Sequence, residues 1–223
     1  MLEQFPVAPM LLVLLIPLAY SFWKRKERKA VIVVCIACVF TVAFYPLVNI
    51  LANLVPTVGY FLGKIILFIF IPILAVFFLE KWSLKNIFID FGVRRKALGK
   101  SVSLGIAAAI VTIAITLLVS VTQWDLAFRS IMFFESFTEE FFFRGFLLLY
   151  LMKKTTPKIA YSTSVLGFVL IHPQHFNSLF LISTIAQGLL LAWVAGKTKN
   201  IIGPWIAHGA NRFFPSLLRM IFQ

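Results

Sequence analysis

Glu135, Glu139, Glu140 and Arg144 share one apolar stretch, FFESFTEEFFFRGF, at residues 133–146. All three histidines of the chain lie beyond it. His172 and His175 stand in GFVLIHPQH, and His208 stands in PWIAHGANRF, followed by Asn211 and Arg212. Carboxylates and imidazoles in such company can move protons to and from water and so hydrolyse a bond. On a helix, Glu135 and Glu139 lie one turn apart on one face, and Glu140 and Arg144 stand at i and i+4, where opposite charges pair. Glu139 is then left with no cation on its own helix, the setting of a general base. His172 precedes Pro173, where a helix breaks, so its ring can reach both water and a carboxylate. A lone histidine on an apolar helix is usually a hydrogen-bonded packing residue. Two on separate segments, with a buried glutamate, point to a shared site. His175 reads more simply as an interfacial residue.

The elements that must position these groups are membrane helices. Of the 223 residues, 61% are hydrophobic, 25 are phenylalanine and only 13% are charged. Mean hydropathy is +0.97. A soluble domain has roughly 45–50% apolar residues, so the fold class is all-α, a polytopic membrane protein. A span needs about 20 apolar residues, and about eight such segments can be read: 6–23, 30–54, 57–79, 101–121, 129–152, 157–174, 176–196 and 199–222. The first is followed, not preceded, by a basic cluster, so it is expected to remain as an anchor rather than be cleaved. Cys35 and Cys38 sit in an apolar run and read as packing residues. Gly59 and Gly63 read as an internal helix-packing pair.

The formal charge of +13 follows topology rather than nucleic-acid binding. Most basic residues fall in alternate linkers: Lys24–Lys29, Lys81–Lys100, Lys153–Lys158 and Lys197–Lys199. This positive-inside pattern predicts those linkers on the cytoplasmic side and both termini outside. Between Trp82 and Lys100, an amphipathic helix presenting Leu84, Ile87, Phe88 and Phe91 is expected to lie in the interface. The chain thus divides into N-terminal membrane helices (1–80), an interfacial linker (81–100) and a polar-bearing core (101–223). A charge deep in the bilayer costs several kcal/mol and usually marks function.

Glu139-Glu140-x-x-x-Arg144 reads as EExxxR, Phe168-x-x-x-His172 as FxxxH, and His208 with Asn211 and Arg212 as a variant of HxxxN. In this order on late apolar segments they resemble the CAAX-protease and bacteriocin-processing (CPBP, or Abi) family of intramembrane endopeptidases. The resemblance covers roughly residues 100–222. It implies that Glu139 activates a water, that His172 shares that water, and that His208 with Asn211 stabilises the oxyanion. Glu140, Arg144 and Phe168 would support the site. The pattern departs from the family at Arg212, where Asn is usual, so that Asn211 or Arg212 fills the last position. Glu135 is left to line a water path or to act on Glu139 by repulsion.

The expected function is therefore hydrolysis of a peptide bond in a membrane-associated or exported substrate. No cofactor is expected. The alternative is zinc or another divalent metal on Glu139, His172 and His208, a His₂Glu set in residue type. The expected partners are the lipid bilayer and a peptide or membrane-protein substrate, not nucleic acid. The expected location is the cell membrane, with the site in its outer half. Two other readings are a non-catalytic immunity or scaffold member of the family and a proton-coupled transporter. Two-half symmetry, which transporters often carry, is not evident.

Overall fold

The computed structural model describes residues 7–119 and 125–222. The described residues are helical throughout, with no strand. In chain order the helices are α1 (Ala8–Lys24, opening as a 3₁₀ turn), α2 (Arg28–Ala43), α3 (Pro46–Leu54), α4 (Val58–Glu80), α5 (Leu84–Asp90) and α6 (Leu98–Val119). They continue with α7 (126–154), α8 (Pro157–Leu170), α9 (Phe180–Thr198) and α10 (Ile202–Phe222). The predicted spans fall on helices, except that 30–54 is two, α2 and α3, bent by 42°, that the sixth (157–174) stops at Leu170, and that the seventh (176–196) begins only at Phe180. Residue 6 of the first expected span and residues 120–121 of the fourth lie outside the described residues. Among the described residues, three helices (α4, α6 and α9) are long and apolar enough to cross a membrane, or four if α2 and α3 form one span. The helix that carries EExxxR is long enough, but its buried charges set it apart from an ordinary span.

Local chemistry sets the starts. Asp125 accepts the Phe128 amide at 3.0 Å to cap α7. Thr156 accepts from Ile159, with Pro157 in the first turn of α8. Such side chains satisfy amides that have no partner in the first turn. Two stretches widen to π-helix, Ile66–Phe70 in α4 and Phe141–Tyr150 in α7. A π-turn breaks the regular i→i−4 ladder and often occurs at functional sites. In both stretches a neighbouring hydroxyl bonds a carbonyl: Thr41 donates to Leu67 at 3.3 Å, and Ser164 to Phe143 at 2.8 Å.

One apolar core runs through both halves of the chain, from Val33, Leu67 and Phe68 to Phe142, Phe143 and Phe168. Phe141, Phe142, Phe143 and Phe146 are all fully buried. They face neighbouring helices, and Phe134 is the exposed member of that run. The interfacial segment differs too. Only Leu84–Asp90 is helical before the chain turns, and Ile87 and Phe91 point into the core, where Phe91 packs on Phe141, Phe146 and Tyr150. Leu84 stays exposed. Gly59 and Gly63 pack against Leu51 and Val48 of α3, so this pair serves internal packing.

Helices α6 and α10 cross at Gly105 and Gly203. A Cβ on Gly203 would overlap the Ser101 carbonyl, and one on Gly105 would overlap Gly203. Backbones this close exclude any side chain. Gly203→Val is expected to destabilise the fold by about 1–3 kcal/mol or more, read as a lower unfolding midpoint in detergent. Gly99→Ala, where a Cβ meets nothing within 4 Å, is expected to leave the midpoint in place.

Candidate active site

Four helices bring the polar groups together. α7 contributes Glu135, Glu139, Glu140 and Arg144, all fully buried. His172 follows the end of α8, and α10 contributes His208, Asn211 and Arg212. The fourth is α4, which contributes Lys64, 3% exposed.

Glu139 is not short of cations. Its Oε1 lies 2.5 Å from Lys64 Nζ and 2.8 Å from Arg212 Nη2. The unpaired carboxylate expected from helix spacing is thus paired, by residues of two other helices. Its Oε2 is buried and has no hydrogen-bond partner. That oxygen faces His172 Nε2 at 3.7 Å and His208 Nε2 at 3.8 Å. These gaps are too long for direct hydrogen bonds.

The outer faces of both imidazoles are held. His172 Nδ1 lies 2.7 Å from the Phe168 carbonyl, which can only accept, so Nδ1 carries the hydrogen and a neutral ring has its lone pair on Nε2. His208 Nδ1 lies 2.8 Å from Glu140 Oε1. Glu140 in turn pairs with Arg144 Nε at 3.2 Å, as the i,i+4 spacing predicts. Arg144 donates to the Gln187 carbonyl at 3.3 Å and stacks its guanidinium 4.2 Å from the Phe168 ring centre. Phe168 also meets both His172 and His208, at 5.0 and 5.6 Å between ring centres. It is the apolar floor of the site.

The two residues that compete for the last motif position separate. Arg212 reaches Glu135 and Glu139. Asn211 instead accepts from Thr116 at 3.0 Å. Glu135 is fully buried between Lys64, at 3.0 Å, and Arg212, rather than open to water. His175, in the loop between α8 and α9, stacks on His172 at 5.2 Å and bonds Thr184 at 2.7 Å. Burial, with the nearby Arg212 guanidinium adding to it, pushes its pKa down to about 3, so it is neutral at neutral pH. Sequence reasoning passed over Lys64 as a site residue. Its one signal was a lysine in an otherwise apolar span.

A cavity of about 800 Å³ reaches this cluster, lined by Glu139, His172, His208 and Asn211 together with Tyr60, Lys64 and Arg129. Its lining extends to Val119 at the end of α6, Phe128 at the start of α7, Gln174 and Ser178 of the α8–α9 loop, and Arg219 near the end of α10. The basic linkers meet at the other end of the bundle, where Lys153 pairs with Asp90 and Lys154 with Glu80.

A zinc ion would need Glu139, His172 and His208 as ligands. Among the described residues no group of three His, Cys, Asp or Glu is arranged to hold a metal. Lys64 and Arg212 already bind the same carboxylate, and a dication there would face both positive charges at close range. These two cations weigh against a dication on that carboxylate.

No curated protein and no solved structure matches the chain. Residues 121–214, which carry EExxxR, FxxxH and His208 through Arg212, match the family model described as Type II CAAX prenyl endopeptidase Rce1-like. That family is a protease family, and the match over the segment that holds the site's glutamates and histidines is consistent with the CPBP resemblance.

Proposed function

We propose that the protein is an intramembrane peptidase whose base is the free oxygen of Glu139. The observation that carries this reading is the convergence of three groups, Glu139 Oε2 and the Nε2 atoms of His172 and His208, on one wall of the cavity. A water bound beside them would give a proton to Glu139, with His172 Nε2 accepting its second hydrogen bond. The water oxygen adds to the peptide carbonyl carbon, and the oxyanion forms near His208. The Glu140 carboxylate, paired with Arg144, holds His208 by its Nδ1 hydrogen, and as an imidazolium the ring has an Nε2–H to donate to that oxyanion. Thr116 fixes the Asn211 carbonyl, so its amide NH₂ is the end presented as a second donor. The proton held by Glu139 then passes to the departing amine as the C–N bond breaks. No step uses a metal.

The alternation of the basic linkers supports the eight-span reading. With those linkers cytoplasmic, the cavity lies at the outer end of the bundle and takes its substrate from the outer half of the membrane. A Ser178→Cys probe in a chain lacking Cys35 and Cys38 is expected to label from outside intact cells; labelling only after permeabilisation overturns this sidedness.

The catalytic test is cleavage of a membrane-anchored peptide library by protein in liposomes. His172→Ala is expected to lower kcat by about 100-fold or more, and EDTA is expected to leave the rate unchanged. Full activity in His172→Ala, or metal-restorable loss in EDTA, would count against the proposal. A transporter would translocate protons or solutes without releasing cleaved product.

A further inference from the structure

We infer that Lys64, on α4 and outside the matched segment, is a positioning residue of the active centre, and that Lys64 and Arg212 form a charge-balanced cage with Glu135 and Glu139. This rests on the reading of Glu139 as the base.

Each cation touches both carboxylates. Lys64 Nζ lies 3.0 Å from Glu135 and 2.5 Å from Glu139; Arg212 contacts Glu135 and lies 2.8 Å from Glu139. Both carboxylates are fully buried, Lys64 is 3% exposed, and the Arg212 side chain is 16% exposed. The four charges sum to zero, which is what burial demands. Removing one partner strands an uncompensated charge.

The cage also has a direction. On Glu139 both cations bind Oε1 and neither binds Oε2, which is left to face the imidazoles. Fixing one oxygen fixes the carboxylate plane and so aims the other. Lys64 is itself confined, between the rings of Tyr60 at 5.2 Å and Phe68 at 4.8 Å. Glu135 finds its role here. Arg212 brings a charge that a neutral residue at that position would not, and Glu135, one turn before Glu139, supplies the matching anion. Docking of α4 thereby becomes a condition for aiming the base.

The test is a charge cycle on the full-length protein, with kcat, KM and unfolding midpoint measured for Lys64→Met, Lys64→Arg, Glu135→Gln and the Lys64→Met/Glu135→Gln pair. Lys64→Met is expected to lower kcat about tenfold or more at similar KM and to lower the midpoint. Lys64→Arg is expected to restore part of both. The double variant, neutral again with Arg212 facing Glu139, is expected to be more stable and more active than Lys64→Met. If Lys64→Met does not fold, recovery of folded yield in the double variant is the readout. Additive losses in the double variant overturn the cage, as does a Lys64→Met protein with unchanged kcat and midpoint. Should the wild type cleave nothing, the peptidase reading fails while the stability cycle still decides the cage.

Discussion

Glu139→Gln is expected to abolish cleavage, lowering kcat by about 100- to 10,000-fold with little change in KM. Glutamine keeps the size of the side chain and can still accept from Lys64 and Arg212. What it lacks is a basic oxygen opposite His172 and His208. The structure makes the substitution sharper than a generic charge removal, because Oε1 is already committed and Oε2 alone faces the imidazoles at 3.7 and 3.8 Å. The variant also leaves the cage with one excess positive charge, so the folded fraction must be measured beside the rate. A folded Glu139→Gln protein with kcat within tenfold of wild type would falsify the assignment of Glu139 as base.

Arg144→Met is expected to give the largest loss of stability among the site variants, about 3–5 kcal/mol. Arg144 and Glu140 are both fully buried and lie 3.2 Å apart. Methionine fills much of the volume but leaves the Glu140 carboxylate with only His208 beside it. The stack on Phe168 and the bond to Gln187 are lost as well. Neutralising both members, as Glu140→Gln/Arg144→Met, is expected to recover much of the stability, because no unpaired charge then remains. It is not expected to recover activity, since a neutral amide cannot support a positive charge on His208 as the carboxylate does. Unfolding midpoints in detergent decide the first point and cleavage rates the second. A single variant as stable as wild type would show that this pair does not hold the helices together.

Much of the site was legible in one dimension. The Glu140–Arg144 pair follows from i,i+4 spacing alone, because both residues ride on the same helix. The break after His172 follows from Pro173, and the helix boundaries follow from apolar runs punctuated by basic linkers. The order of the three motifs was enough to name the family that the match over residues 121–214 then supports.

Other features required the bundle. Lys64 precedes Glu139 by 75 residues, and nothing in either local sequence links them. Asn211 and Arg212 both flank the turn after His208, and spacing could not choose between them. The rotation of α10 against α6 and α7 did, sending Asn211 to Thr116 and Arg212 to the glutamates. The same applies to Ile87 and Phe91, which read as the apolar face of an interfacial helix until neighbouring helices covered them. By itself the sequence determined what lies along each helix, because bond geometry fixes where side chains point relative to their own axis. Only the tertiary structure decided which faces meet, because helix rotation is set by packing and charge balance summed over the whole bundle.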